Sequence, residues 1–296
     1  MADLNRAKEY KAELLLLIVV VIWAANYPLA KFALAFLHPF VFNAIRYIVA
    51  ATVVLVGVGM SSSWRPVEKR DWPRLLRAGV IANVLYQVMF IIGLSMTTAG
   101  NSAIILSTSP LWTVFLTARM HKETIPCILW LGMSVSLAGV IMIIVGSGKK
   151  LGLGSQELTG DVIVLAAAAL WGLNTTLQKP LLRTYSAQQL SLILISIGAA
   201  GLTLAGIPAL VQTDWRSVHW FPIAAAVLSG AFSIGIGNVM WSYGVKHLGP
   251  GRTANFNNLV PVLAFVLSYF TLNEQLLPIQ IVGATVTVVG VWIARM

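Results

Sequence analysis

Long apolar runs separated by short polar, glycine or proline breaks follow one another along the whole chain. A helix that crosses a bilayer needs about 20 apolar residues, and the runs have about that length. The pattern predicts ten transmembrane helices and leaves no stretch for a soluble domain. The predicted helices cover residues 13–31, 39–59, 74–97, 100–118, 125–145, 160–178, 187–211, 218–245, 251–271 and 276–295.

Composition supports the same fold class. The chain has 296 residues, of which 58% are hydrophobic and only 10% are charged, and its mean hydropathy is +0.83. Soluble domains carry about 25% charged residues, so an ordinary soluble globular protein is excluded. The single cysteine, Cys127, excludes an internal disulfide framework. We therefore expect an all-α integral membrane protein.

The positive charge predicts how the chain is oriented in the membrane. Lys and Arg outnumber Asp and Glu by 20 to 10, which gives a net charge of +10. With a cytoplasmic amino terminus, most of the basic residues fall in predicted cytoplasmic segments, as the positive-inside rule requires. The exceptions are Lys31, Arg46, Lys149, Lys150 and Arg216. Both termini are predicted to be cytoplasmic, and the charge gives no reason to expect a nucleic-acid partner.

The second half of the chain repeats the first. Trp23 and Asn26 recur as Trp171 and Asn174, a shift of 148 residues, and later matches share a shift of 151. These later matches pair Gly93, Gly100, Pro110, Glu123, Gly132, Gly139 and Val140 with Gly244, Gly251, Pro261, Glu274, Gly283, Gly290 and Val291. The recurrence also argues against a cleaved signal peptide in residues 1–31, because the internal copy could not be cleaved.

Each copy has five predicted spans, an odd number, so the second copy must enter the membrane from the opposite side. The sequence thus predicts two inverted five-helix repeats, residues 1–146 and 160–296, joined by an external linker at 147–159. Inverted repeats commonly place a substrate site between them near the membrane midplane, and they supply two similar packings for alternating access.

Two motifs resemble a known family. Residues 38–50, HPFVFNAIRYIVA, resemble the start of the second helix in EamA-type exporters of the drug/metabolite transporter superfamily. The duplicated pattern from Pro110 to Val140 and from Pro261 to Val291 is similar to the end of each repeat in that family. The resemblance covers nearly the whole chain and is greatest to the bacterial amino-acid exporter branch. It implies an inner-membrane location, export of amino acids or other small metabolites, and a cavity lined by helices one, three, four, six, eight and nine.

Polar and aromatic side chains inside the spans are the candidate substrate-binding residues, because an amide that faces lipid is costly. The set is Trp23, Asn26, Tyr27, Arg46, Asn83, Tyr86, Gln87, Trp171, Asn174, Asn238, Trp241 and Asn258. Asn83, Tyr86, Gln87 and Phe90 share one helical face, which could stack on an aromatic substrate. The alternative is that the amides form interhelical hydrogen bonds and the rings form interface belts.

Three further features have two interpretations each. Arg46 could bind a substrate carboxylate or tie helix two to a neighbour, or it could snorkel to the headgroups. The prolines Pro28, Pro110 and Pro261 are candidate hinges or ordinary packing kinks. The glycines at 132, 139, 283 and 290 form a packing face that serves either the fold or a dimer contact.

The absence of certain motifs from the sequence argues against several classes of function. The predicted spans hold no deep Asp or Glu, so we expect facilitated diffusion or exchange by alternating access. Proton antiport of other metabolites or drugs, and a channel, are the alternatives. The sequence has no phosphate-binding loop and no catalytic or metal-ligand set, so we expect no enzyme activity, cofactor or metal. The expected partners are a small-molecule substrate and the lipid bilayer, with the protein a monomer or weak homodimer.

Overall fold

A computed structural model describes residues 2–59, 64–96, 105–146, 155–263 and 277–294. Within these ranges every regular element is helical and there is no strand, as the apolar runs predict. The α-helices are α1 (Ala2–Leu34), α2 (Pro39–Gly59), α3 (Trp72–Gly79), α4 (Tyr86–Met96), α5 (Ser109–His121), α6 (Cys127–Gly146), α7 (Ser155–Thr184), α8 (Ala187–Gln212), α9 (Trp220–Leu228), α10 (Gly237–Leu248), α11 (Pro250–Asn255) and α12 (Pro278–Ile293).

Several helical runs are long and apolar enough to cross a membrane. They are Pro39–Gly59, Lys69–Leu94, Leu158–Thr184, Ala187–Gln212 and Trp220–Leu248, with shorter apolar helices at Cys127–Met142 and Ile281–Ile293. Large apolar side chains such as Leu204 and Val211 are 67% and 79% exposed. In water such surfaces would be unfavourable, whereas in lipid they are expected. The all-helical membrane fold is therefore confirmed, and the count of ten spans stays a prediction.

Two of these runs contain π-helical turns that the apolar pattern does not predict. The first π segment, Val80–Leu85, joins α3 to α4, and the second π segment, Ser229–Ile236, joins α9 to α10. A shift of 151 residues places the second segment on residues 78–85, so the two segments occupy equivalent positions in the sequence repeat. Such turns disturb the helical hydrogen-bond register and occur frequently at functional sites.

The helices form two compact units. The first unit comprises Met1–Val84 and Leu177–His247, and the second comprises Leu85–Thr176 and Leu248–Met296. In the first unit α2 packs along α8, and α1 packs on α9 and the second π segment. In the second unit α6 packs along α12, and α5 packs on α11. Each unit therefore takes helices from both sequence halves, and the division at 147–159 remains a prediction from sequence.

Glycines allow a close helix contact in the second unit. A Cβ atom added at Gly139 would collide with the backbone of Gly283 and with Thr287, and one added at Gly290 would collide with the backbone of Ser136. Small residues let helix backbones approach in this way. The glycine face predicted on these helices thus packs α6 against α12 inside the chain. Of its two interpretations, the structure supports packing within the fold.

Candidate functional site

In the first unit, Trp23 is fixed between a tryptophan ring and the second π segment. The ring centroids of Trp23 and Trp241 lie 5.1 Å apart, and Trp23 Nε1 donates a hydrogen bond of 3.1 Å to the Ser233 carbonyl. A Cβ atom at Gly237 would lie 2.9 Å from Trp23 Nε1, so the absence of a side chain there admits the indole. The indole N–H therefore pairs with a carbonyl of a π-helical turn, where the regular ladder is disturbed.

Arg46 lies in the interior of the first unit and does not extend to its surface. The residue is 6% exposed, its Nη1 donates a 3.0 Å hydrogen bond to Asn43 Oδ1, and its guanidinium lies 4.9 Å from the Phe42 ring centroid. Gly230 of the second π segment packs against the Arg46 backbone. This burial argues against snorkelling, while contact with a substrate carboxylate stays a prediction.

Two amides predicted as cavity residues hold the π segments. Ser229 Oγ donates to Asn26 Oδ1 and so links α1 to the second π segment. Asn83, in the first π segment, accepts from Tyr47 Oη at 3.1 Å and donates through Nδ2 to the Leu194 carbonyl at 3.0 Å. At Asn26 and Asn83 the structure therefore shows interhelical hydrogen bonds, as in the alternative interpretation of the polar residues inside the spans.

The side chain of Asn238 is half-buried. Its backbone carbonyl accepts a hydrogen bond of 3.3 Å from Ser191 Oγ. The side chains of Tyr27 and Pro28 lie outside the described part of the structure. The substrate contacts proposed for Asn238 and Tyr27, and the hinge role proposed for Pro28, remain predictions.

The second unit holds an aromatic cluster, defined here as Tyr86, Phe90 and Trp171. The Tyr86 centroid lies 5.1 Å from that of Trp171 and 5.9 Å from that of Phe90. All three rings are half-buried. Gln87 is 6% exposed, and its Oε1 has no hydrogen-bond partner among the residues that the structure describes. Asn174, one helical turn beyond Trp171, is 3% exposed. The helices that carry these rings, α4 and α7, thus hold partly exposed ring surface and buried neutral amides.

The two aromatic arrangements are related through the repeat. Trp171 corresponds to Trp23, and Phe90 corresponds to Trp241 at the shift of 151 residues. Each unit therefore combines a tryptophan of one sequence half with aromatic side chains of the other half. The sequence predicts these tryptophans as candidates, but it does not predict which rings they contact.

A second group of amides surrounds an interruption of the helix after α11, where Phe256–Asn258 forms a 3-10 turn. Asn258 Nδ2 donates to Ser136 Oγ at 2.6 Å, and Asn257 Nδ2 donates to Ser109 Oγ at 3.1 Å. Asn255 Nδ2 donates to the Val291 carbonyl at 3.2 Å. Asn258 Oδ1 is buried without a partner in the described ranges. Of these residues, only Asn258 belongs to the predicted site.

Both paired prolines follow an irregular turn. Pro110 lies in the first turn of α5, and Pro261 lies within helical residues 259–263, which follow the 3-10 turn. A proline in the first turn of a helix costs little, because that N–H has no helical acceptor. Pro110 therefore begins a helix and does not break one, and its role as a hinge remains a prediction, as does that of Pro261.

The structure adds a buried carboxylate that the sequence does not single out. Tyr185 Oη donates a 2.7 Å hydrogen bond to Asp71 Oδ2, and the two residues are 1% and 8% exposed. Burial, and then the hydrogen bond to Asp71, raise the pKa of the Tyr185 phenol above its ordinary value. Lys246 Nζ donates to the Tyr185 carbonyl at 3.2 Å. These contacts join the chain before α3, the α7–α8 turn and the end of α10.

The sequence model of the EamA-like transporter family matches the chain twice, at residues 10–145 and 158–296. The chain belongs to the EamA-like transporter family. It is therefore a membrane-embedded transporter and not an enzyme, and its resemblance to the drug/metabolite transporter superfamily is confirmed. The two matched ranges leave only a short segment between them.

Curated relatives of this EamA-like chain are also transporters. It is 28% identical over 281 residues to a probable terminal-alkyne amino-acid exporter of Streptantibioticus cattleyicolor, covering 95% of this chain and 92% of the relative. It is 23% identical over 268 residues to the uncharacterized transporter YyaM of Bacillus subtilis, covering 90% and 88%. A solved crystal structure matches with a TM-score of 0.79 and 18% identity over 97% of this chain and 98% of that chain, which supports the fold.

Proposed function

We propose that this EamA-like transporter exports amino acids, including aromatic or hydrophobic ones, or similar small metabolites. The observation that carries the proposal is the half-buried aromatic cluster of Tyr86, Phe90 and Trp171, with the buried amide of Gln87 next to Tyr86 in the sequence of α4. Ring faces offer apolar surface to a hydrophobic side chain, and neutral amides can orient the polar end of a small ligand. A relative named as a probable amino-acid exporter supports the same cargo class.

The proposed mechanism is alternating access by two inverted five-helix repeats that supply ten spans. Two family matches in one chain, and π segments at equivalent repeat positions, support it. We place the protein in the bacterial inner membrane with both termini cytoplasmic, as a monomer or weak homodimer. In such a carrier the inward-facing and outward-facing packings are close in energy, and cargo binding shifts their populations.

Proton antiport is the second candidate for coupling, and Asp71 is the observation that favours it. Among the described residues the buried charged side chains are Arg46 and Asp71, so Asp71 is the one buried acid there. Its carboxylate is buried and accepts the hydrogen bond from Tyr185, so replacing Asp71 is the direct test of proton coupling. The test is flux in proteoliposomes with and without a pH gradient. Flux driven by the gradient in wild type but not in Asp71→Asn supports antiport.

The test of cargo class uses the full chain in liposomes. We expect saturable entry of labelled phenylalanine. Trp171→Leu should lower kcat/KM about tenfold, because the contact between two aromatic rings contributes up to about 1.5 kcal/mol. The matched control is Trp220→Leu, because Trp220 is 61% exposed, and its flux should equal that of wild type. Amino-acid flux no greater than in empty liposomes would refute the proposal.

A further inference from the structure

One buried amide oxygen, on the helix that carries Tyr86 and Phe90, accepts no hydrogen bond from the described residues. Gln87 follows Tyr86 on α4 and is 6% exposed, and its Oε1 is buried without a donor among the described residues. Buried polar atoms nearly always have a partner, so an exception in a transporter's interior calls for an explanation. A ligand that brings a donor to this oxygen provides one.

The aromatic residues on the same helical face as Gln87 favour a positively charged donor, because Phe90 lies one turn beyond Gln87 on α4 and its ring stacks on that of Tyr86. The faces of the Tyr86, Phe90 and Trp171 rings carry partial negative charge and attract an ammonium group, whereas they disfavour a carboxylate. Within the described ranges the buried charged residues, Arg46 and Asp71, both belong to the first unit. The second unit therefore has no fully buried charge among its described residues, and the ring faces of the aromatic cluster are the groups there that attract a cation.

We propose that Gln87 Oε1 accepts a hydrogen bond from the ammonium group of the cargo, with the aromatic cluster flanking it. The proposal rests on the proposed function and makes it more specific: the transporter selects molecules with a free primary amine and rejects N-acylated forms. No bond to carbon forms or breaks, and the cargo keeps its proton. An N-acyl group would remove the positive charge and place a carbonyl oxygen near Gln87 Oε1.

The experiment measures binding to the detergent-solubilised full chain by tryptophan fluorescence and thermal shift. The probes are phenylalanine, phenethylamine, phenylalanine amide and N-acetylphenylalanine, of which the first three carry the amine. We expect wild type to bind the three amines at least about tenfold more tightly than the N-acetyl compound. In Gln87→Leu and Gln87→Met, amine binding should weaken about tenfold while N-acetylphenylalanine is little changed. The matched control is Gln212→Leu, at the exposed end of α8.

The possible outcomes are distinct. The inference is overturned if the wild-type protein shows no preference for free amines. It is also overturned if the wild-type protein binds neither phenylalanine nor phenethylamine. Equal weakening of all four probes in both Gln87 variants also overturns it, because a merely structural role would act on every ligand. Amine binding with the expected selectivity, but no amino-acid flux in liposomes, would refute the proposed function and leave the Gln87 inference supported.

Discussion

Replacing Tyr185 by phenylalanine tests the buried contact that the sequence did not reveal. The change removes one hydroxyl and keeps the ring, so the loss should come from the 2.7 Å bond to Asp71. A hydrogen bond to a charged partner contributes about 1.5–3 kcal/mol, and Asp71 is only 8% exposed. Arg74 Nη1 lies 3.9 Å from Asp71 Oδ1 and is mostly exposed, so its compensation is small. We expect the free energy of unfolding to fall by about 2 kcal/mol.

The assay is thermal unfolding of the purified protein in detergent. With an unfolding entropy of about 2.1 cal/mol/K per residue, a loss of about 2 kcal/mol lowers the apparent Tm by about 3 °C. The folded-state pKa of Tyr185 is raised, so its hydrogen bond stabilises the protein fully below the unfolded pKa of about 10 and is lost as pH rises through the folded pKa. The difference in Tm between wild type and Tyr185→Phe should therefore shrink at strongly alkaline pH.

A double-mutant cycle with Asp71→Asn separates the pair from its surroundings. We expect a coupling energy of about 1–2 kcal/mol between the two positions. Strictly additive effects, or a Tm difference that grows above pH 10, would refute the account of this contact.

Three further predictions concern helix packing and the π segments. Trp23→Phe keeps an aromatic ring at position 23 but removes the indole N–H that donates to the Ser233 carbonyl, and the smaller ring packs less well against Trp241. We expect a loss of at least about 1 kcal/mol and faster hydrogen exchange in Ser229–Ile236, measured by mass spectrometry. Unchanged exchange would contradict the role of the indole. Gly139→Val should cost at least about 3 kcal/mol and reduce the monodisperse yield, whereas Gly57→Val, where nothing lies within 4 Å, should behave as wild type. Asn258→Leu leaves Ser136 without its amide donor and should lower the Tm by about 2 °C, and an equal or higher Tm would count against the bond.

The sequence predicted helices where the apolar signal is strong and their ends where that signal stops abruptly. The predicted helix 39–59 has the same ends as α2. The first predicted helix, 13–31, is too short, because α1 begins at Ala2 with polar residues that extend the helix without any apolar pattern. The π segments were not predicted because tertiary contacts stabilise them, such as the hydrogen bond between Trp23 and Ser233. Contacts between residues so far apart in the chain cannot be recognised in a single sequence.

The candidate site was predicted in residue types but not in partners. Trp23 and Trp171 were identified from the repeat, and both lie in aromatic contacts. Asn83 shares a predicted face with Tyr86, yet its amide is engaged by Tyr47 and Leu194. The Asp71–Tyr185 pair could not be predicted, because its members lie 114 residues apart and neither stands out in its own segment.

Counterflow tests the proposed function most directly. Proteoliposomes are preloaded with unlabelled phenylalanine, and labelled phenylalanine is supplied outside at low concentration. If the site of the carrier faces each side in turn, the label should accumulate transiently above its equilibrium level. This accumulation should saturate as the cargo concentration rises, and it should disappear when the preload is omitted. Label that enters linearly with concentration and ignores the preload, or that enters no faster than into empty liposomes, would contradict amino-acid transport by alternating access.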